Sequence, residues 1–435
     1  MKPTLLLLLA ALTLPAAPLE ARLSAPEKKM MQIVERERER TIGLLEKLVN
    51  QNSGTLNLPG VEATGRMMRA ELEPLGFEVR WIPMGEAKRS GHILATRKGN
   101  GRGKRMLLIG HLDTVFEPDS PFQRFSREGD RATGPGVGDD KGGMVVMVAA
   151  LRAMQAAGTL KDADIEIVLT GDEEDAGDPI QLARRDLVEA GKRADVALDF
   201  EALAQENGRD MGSIARRSSD QWEVRATGRG GHSSGIFGAG AGNGAIYELA
   251  RIIAAFRTEL PEPNLTFSVG LIAGGTTATL DEDKVRAAAT GKTNIIPETA
   301  IARGDLRTLS RDQRERVIAK MRAIVARHLP GTGAEIDFDE GGYPSMAPTA
   351  GSKALLDRLN LVNRDMGLPE MGVLDPLKRG AGDIGFVAKE VDGLVGLGPV
   401  GEGSHAPGET VDLPSIDRQA KRAAILMTRL SRERR

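Results

Sequence analysis

Along the chain, apolar residues recur first at helical spacing and then in short runs bounded by Gly, Pro and Asp. Glu27 to Asn50 places Met30, Ile33, Val34, Leu44, Leu45 and Leu48 at helical intervals, and the run Glu35 to Arg40 of alternating acid and base reads as its solvated face. Gly65 to Leu75 predicts a second helix, ended by Gly76. Phe77 to Ile82, His92 to Arg97 and Met106 to Gly110 read as strands. The long apolar helix Gly142 to Ala157 follows, then strand Ile165 to Thr170, helix Leu182 to Ala190 and strand Val196 to Phe200. That alternation predicts an α/β architecture with a largely parallel sheet.

From about Ser213 the pattern changes. An alternating strand, Gln221 to Thr227, is followed by a Gly-rich turn and the helix Ala245 to Thr258. Strands Leu265 to Ile272 and Ala300 to Arg307 and the helix Arg311 to His328 come next. Two helices on an antiparallel sheet account for this stretch as an α+β insert. Near Glu340 the chain returns to the first domain, with helix Ser352 to Met366 and strand Leu394 to Leu397. The predicted organisation is a leader over 1–25, a catalytic domain from 26–213 and 341–435, and an inserted domain over 214–340.

Composition narrows the function. The 435 residues carry 59 Lys+Arg against 61 Asp+Glu, so no basic surplus is left for nucleic acid. Aromatics at 3% are too sparse for a base-stacking platform. The absence of cysteine excludes disulfides, a thiolate nucleophile and Cys-ligated zinc. At the start, Lys2 precedes an apolar run from Leu5 to Leu14, and small residues follow at Ala16, Ala17, Ala21 and Ala25. This is the layout of an export signal, and the run is shorter than the ~20 residues a bilayer span needs. A periplasmic or secreted protein is expected, with no membrane attachment once the signal is removed.

The candidate chemistry collects after the buried strands. His111-Leu112-Asp113-Thr114 follows one, Gly171-Asp172-Glu173-Glu174-Asp175 another, Glu201 a third, and Gly398 to His405 a fourth. Ligands of open α/β sheets bind beyond the carboxyl ends of strands, so His, Asp and Glu are delivered to one rim. Clustered carboxylates repel each other unless a cation lies among them. Imidazole and carboxylate donors suit zinc, with cobalt or manganese behind it. His111 and Asp113 stand two apart and project to one side of an extended segment, so Asp113 can orient the imidazole. Glu173 and Glu174 are adjacent and point differently, leaving one to bind metal and the other free as a base. In Gly134 to Gly143 the phosphate-loop spacing is absent and Asp139 and Asp140 would repel phosphate; Asp139 is the candidate bridge between two cations.

These blocks, in this order, resemble the co-catalytic dizinc peptidase family of glutamate carboxypeptidase (carboxypeptidase G type), acetylornithine deacetylase and succinyl-diaminopimelate desuccinylase. The resemblance implies a zinc-exopeptidase-like α/β catalytic domain with an inserted α+β dimerisation domain, a homodimer, and two divalent metal ions per subunit, zinc first. It implies His111 and Glu201 on one metal, Glu174 and His405 on the other, Asp139 bridging, Asp113 orienting His111, and Glu173 as general base and acid. It also implies a cis peptide at Asp139–Asp140. Gly231-His232-Ser233-Ser234 is similar to the family loop whose histidine reaches the partner's site, and Asn294-Ile295-Ile296-Pro297 with Arg307 to the element that grips a substrate carboxylate. The implied reaction is hydrolysis of a peptide or N-acyl amino acid at a C-terminal, glutamate-like residue. An N-acyl amino acid deacylase, an aminopeptidase of the same family and a non-catalytic metal- or peptide-binding protein are the alternatives. The segment Asp175 to Pro179 and the loop Gly380 to Asp383 depart from the family pattern, and His92 and His328 read as structural or exposed.

Overall fold

A computed structural model describes residues 23–435. The leader expected over 1–25 lies outside the described residues except at its end, where Ser24 caps the first helix, Ala25–Arg36. The Glu27 carboxylate accepts from both the Ser24 amide and hydroxyl. The sequence pattern predicted one helix to Asn50, but the chain breaks at Glu37 and resumes as Arg38–Asn50. The solvated run around Glu37 has no apolar residue to hold it to the core. Each half instead turns its own apolar face, Met30 with Ile33 and Leu45 with Leu48, into the same cluster.

The central sheet has six strands in the order Glu78–Pro83, Gly91–Arg97, Asp164–Thr170, Arg105–His111, Val196–Asp199 and Gly393–Val395. The last four pair in parallel, whereas the first two are antiparallel, so the sheet is mixed rather than uniformly parallel. The helix Lys141–Ala157 is buried along almost its whole length, because it packs against the first two helices and the C-terminal helix Leu413–Leu430. Apolar residues on all sides of such a helix mark a core position. The strand Arg105–His111 is central for the same reason: Met106 to Ile109 are apolar and buried. Its carboxyl end therefore opens into the interior rim rather than into solvent.

The insert forms an antiparallel sheet of Thr266–Phe267, Thr299–Arg307, Asp220–Gly228 and Thr332–Phe338, with Leu271–Gly275 also paired to Thr299–Arg307. Helices Ala245–Glu259 and Arg311–Val325 cover it, around Trp222, Ile252, Phe256 and Met321. The predicted strand Leu265 to Ile272 is thus two short strands. The strand Thr332–Phe338 and the helix Leu413–Leu430 are elements the pattern did not reveal. Chain entry and exit of the insert run side by side, with Arg216 bridged to Met346 and Ser219 to Tyr343.

Candidate metal centre

The strand Arg105–His111 delivers His111 into the rim, where its ring is 2% exposed. One nitrogen, Nδ1, lies 3.1 Å from the Asp113 carbonyl and 3.4 Å from its carboxylate, and Nε2 points to Asp139 Oδ1 at 3.1 Å. Asp113 is fully buried. It accepts from the Thr55 hydroxyl at 2.7 Å and from the amides of Glu173 and Glu174 at 3.0 and 3.1 Å. Burial alone would raise its pKa, but His111 and these donors hold it below the ordinary carboxylate value. A single acid therefore orients the imidazole and fixes the backbone of the two glutamates.

His111, Asp139 and Glu174 offer donor atoms that all lie within 4.8 Å of one another. His405, from the loop after the last sheet strand, adds Nε2 at 3.1 Å from Glu174 Oε2 and 3.3 Å from Asp139 Oδ2. The two oxygens of Asp139 thus face two different imidazoles. The peptide Asp139–Asp140 is cis. Imidazole nitrogens and carboxylate oxygens converging at these separations form the donor set a divalent cation requires, so the residues fit a metal centre. Glu201 stands apart from the triad. Its Oε2 is 2.5 Å from Arg216 Nη1 and 3.7 Å from Arg379 Nη2, although it lines the same cleft.

That cleft, about 570 Å³, is lined by Asp139, Glu173, Glu174, Glu201 and His405 together with Arg216, Arg307, Lys378 and Arg379. Burial, reinforced by Glu201, Asp383 and Glu174, pushes the Glu173 carboxyl well above its ordinary value despite the opposing pull of His111. A raised carboxyl in a cleft is what a group that takes and returns a proton requires. Arg307 is half-buried, with Nε 3.0 Å from Asp305 Oδ2. His232 and Asn294 do not line this cleft. His232 is exposed on the short pair Gly231–His232 with Ile295–Ile296, its Nδ1 facing the Ser234 hydroxyl at 2.8 Å, and the Asn294 carbonyl accepts from the Ser233 amide.

Several residues act here that the sequence did not single out. Glu409 is 1% exposed and accepts from the amides of Gly136, Gly138 and Asp139 at 2.8, 2.8 and 3.0 Å. Burial pushes its carboxyl up to about 7, and those amides oppose the rise. It ties the loop of His405 to the loop of Asp139; a lone acid four residues after a candidate ligand histidine was the only signal. Asp172, read as part of the acidic block, turns away from the cleft to Arg184. His92 is buried and braces the same loop, accepting from the Gly171 amide at 3.0 Å, with Nε2 2.8 Å from the Ala183 carbonyl. His328 is partly exposed, 3.5 Å from Glu248.

The profile of Peptidase family M20/M25/M40 matches residues 107–429. Carboxypeptidase G2 of Pseudomonas sp. (strain RS-16) is 28% identical over 411 residues, covering 92% of this chain and 91% of its own. A succinyl-diaminopimelate desuccinylase of Leptothrix cholodnii is 25% identical over 394 residues, covering 86% of this chain and 95% of its own. Among solved structures, aminopeptidase PepT from Bacillus cereus superposes with a TM-score of 0.70 at 18% identity, over 90% of this chain and 98% of that one.

Proposed function

Because this chain belongs to Peptidase family M20/M25/M40 and is a metal-dependent hydrolase, we propose that it is an exopeptidase cleaving the amide bond of a C-terminal, glutamate-like residue or of an N-acylated amino acid. The observation that carries the reading is the placement of Asp139 between His111 and His405, with the raised Glu173 in the same cleft. An aspartate whose two oxygens meet two imidazoles is built to bridge, which supports two cations per subunit, with zinc favoured by the N/O donors. His111 would serve one and Glu174 and His405 the other, and Glu201 would join on exchanging its contact with Arg216. When bound, such a pair would polarise the amide carbonyl and lower the pKa of a nearby water toward ~7.

The chain's own groups do the rest. Glu173 accepts the proton of the attacking water and delivers it to the leaving nitrogen. Asp113 keeps His111 aimed and the Glu173 amide fixed. Arg307 binds the substrate's free carboxylate with its planar fork. Four acids and four cations line the cleft, so two divalent ions on the acids leave a cationic excess, which favours a dicarboxylic amino acid as the released group. Glu173→Ala should abolish turnover while two ions stay bound; retained turnover refutes the assignment. A panel of C-terminal glutamyl peptides, N-acyl amino acids and free-amine peptides separates the carboxypeptidase from a deacylase or an aminopeptidase. Protein that binds metal and releases nothing from any of them is a binding protein.

The remaining features join this reading. The insert, 214–340, is proposed as the dimerisation and lid domain, with His232 of one copy and the Asn294 segment completing the partner's cleft. Phe237, Ile246, Tyr247 and Ile272 are large, apolar and exposed on it, and the Phe237 and Tyr247 rings lie 5.5 Å apart. Such an apolar patch suits a second copy. Tyr247→Glu should shift the sedimentation of a dimer to a monomer and depress turnover, and unchanged sedimentation would exclude this face. Export to the periplasm or medium rests on the leader pattern, and amino-terminal sequencing of protein recovered from cell fractions tests it.

A further inference from the structure

The loop that carries Glu173 is braced from below by a cation the reaction does not use. Arg184 is 1% exposed. Its Nη1 meets Asp172 Oδ1 at 2.5 Å, its Nε meets Asp383 Oδ1 at 2.7 Å, and its Nη2 reaches both the Asp172 carbonyl at 2.9 Å and the Tyr343 hydroxyl at 2.7 Å. The Thr170 hydroxyl holds the other oxygen of Asp383 at 2.5 Å. The guanidinium also lies over the rings of Tyr343 and Phe386, 5.6 and 5.5 Å from their centroids.

The hydrogen-bond polarity of this chain of contacts is fixed. Arginine only donates, so the Tyr343 oxygen accepts from Arg184, and the phenolic proton is directed to the Glu173 carbonyl, 2.6 Å away. With its amide on Asp113 Oδ1 and its carbonyl on Tyr343, Glu173 has both backbone polar groups held, which fixes the direction in which its Cα–Cβ bond leaves this loop. Tyr343 sits where the insert's exit strand crosses its entry strand. Its amide and carbonyl pair with the carbonyl and amide of Ser219, each at 2.9 Å.

We infer that Tyr343, backed by Arg184, is a positioning residue for Glu173, through which the exit strand of the insert sets where that carboxylate stands. This rests on the reading of Glu173 as the proton-transfer group. Tyr343 also lines the cleft, so a positioning role is told from a substrate contact by its effect: a base displaced by about 1 Å loses on the order of 100-fold in rate with KM little changed.

The test is Tyr343→Phe, which removes only the hydroxyl, measured as kcat, KM, bound zinc and melting temperature of the zinc-loaded enzyme beside the parent and Glu173→Ala. The expected result is kcat down about 10- to 100-fold with KM within about twofold, two zinc ions retained and a single cooperative melt lowered by only a few degrees. Arg184→Lys should fall in kcat likewise, and it serves as a second variant if it folds. Parental kcat in Tyr343→Phe, with Glu173→Ala inactive, overturns the inference alone. A loss confined to KM overturns it too, by making Tyr343 a substrate contact. Turnover retained in Glu173→Ala removes the premise and the inference together.

Discussion

Replacing Glu409 by glutamine changes one oxygen to nitrogen at the junction of the two ligand loops. In the parent, Oε2 accepts the Gly136 amide and Oε1 accepts those of Gly138 and Asp139. A glutamine has one acceptor oxygen. Placed at Oε1, it leaves the Gly136 N–H facing an NH₂ group; turned over, it orphans two amides instead. The smaller loss leaves one buried amide unsatisfied, at a cost of about 1–3 kcal/mol. The site is buried, so water does not replace it. Because the donors are the segment that ends in Asp139, the loss falls on the arrangement that binds cations. At 1.4 kcal/mol per tenfold, affinity should drop about 10- to 100-fold, the range seen when groups supporting metal ligands are removed. Calorimetric titration of zinc into metal-free protein measures this directly. A Glu409→Gln protein that binds both ions within twofold of the parent would refute the role of Glu409 as the tie between the loops.

Arg307→Lys keeps the charge but not the planar fork, so KM for a substrate with a free terminal carboxylate should rise about tenfold with kcat little changed; an unchanged KM would remove Arg307 from substrate binding. Glu248 is buried in the insert, and although burial favours its neutral form, Arg251, the Leu329 amide and Thr332 hold its pKa below the ordinary carboxylate value. A folded value below the unfolded one stabilises above the unfolded pKa of ~4.3 and loses that stabilisation as pH falls through the folded value. Glu248→Gln should therefore cost about 1.5–3 kcal/mol near pH 7 and show a shallower acid limb in urea unfolding, whereas parallel limbs in the two proteins would exclude this acid as the cause. Trp222→Ala, removing a buried ring packed edge-on to Phe256 at 5.5 Å and donating to the Asp305 carbonyl, should destabilise the insert by about 3–5 kcal/mol by the same assay.

The candidate metal-binding blocks were legible in the sequence because all but the Gly-rich block of Asp139 follow a strand whose apolar run announces burial. Met106 to Ile109 before His111 and Ile165 to Leu169 before Glu173 place charged groups where only a shared partner makes them tolerable. Arg184, Arg216, Tyr343 and Glu409 were not legible. An arginine at a helix junction or in an extended linker, or an acid in a Gly-rich loop, carries the same local pattern whether it faces water or a carboxylate distant in sequence. The helix Leu413–Leu430 is obscured in the sequence for a related reason. Gln419 and Arg422 lie on its buried side, satisfied by the Gly396 and Gly398 carbonyls, Asp210 and Asn363, which disrupts the polar-out rhythm. Thr332–Phe338 pairs as a strand with Glu335 and Asp337 spaced along it, a register that only its neighbour Asp220–Gly228 fixes. The break at Glu37 depends on how two helix faces meet the core: the charged run marks a segment free of the core, and the point within it where the helix stops is set by packing.

The centre's residues leave the ribosome in the order His111, Asp139, Glu174, His405, and the fourth emerges only after the insert and the closing sheet strand Gly393–Val395. A nascent chain can already carry the first three candidate ligands, yet it lacks both His405 and the helix Leu413–Leu430, whose Leu413, Ile416, Ile425 and Leu426 complete the main core. The candidate centre and the core therefore close together at the end of translation, and premature termination upstream of that histidine removes the last candidate ligand and a wall of the core at once.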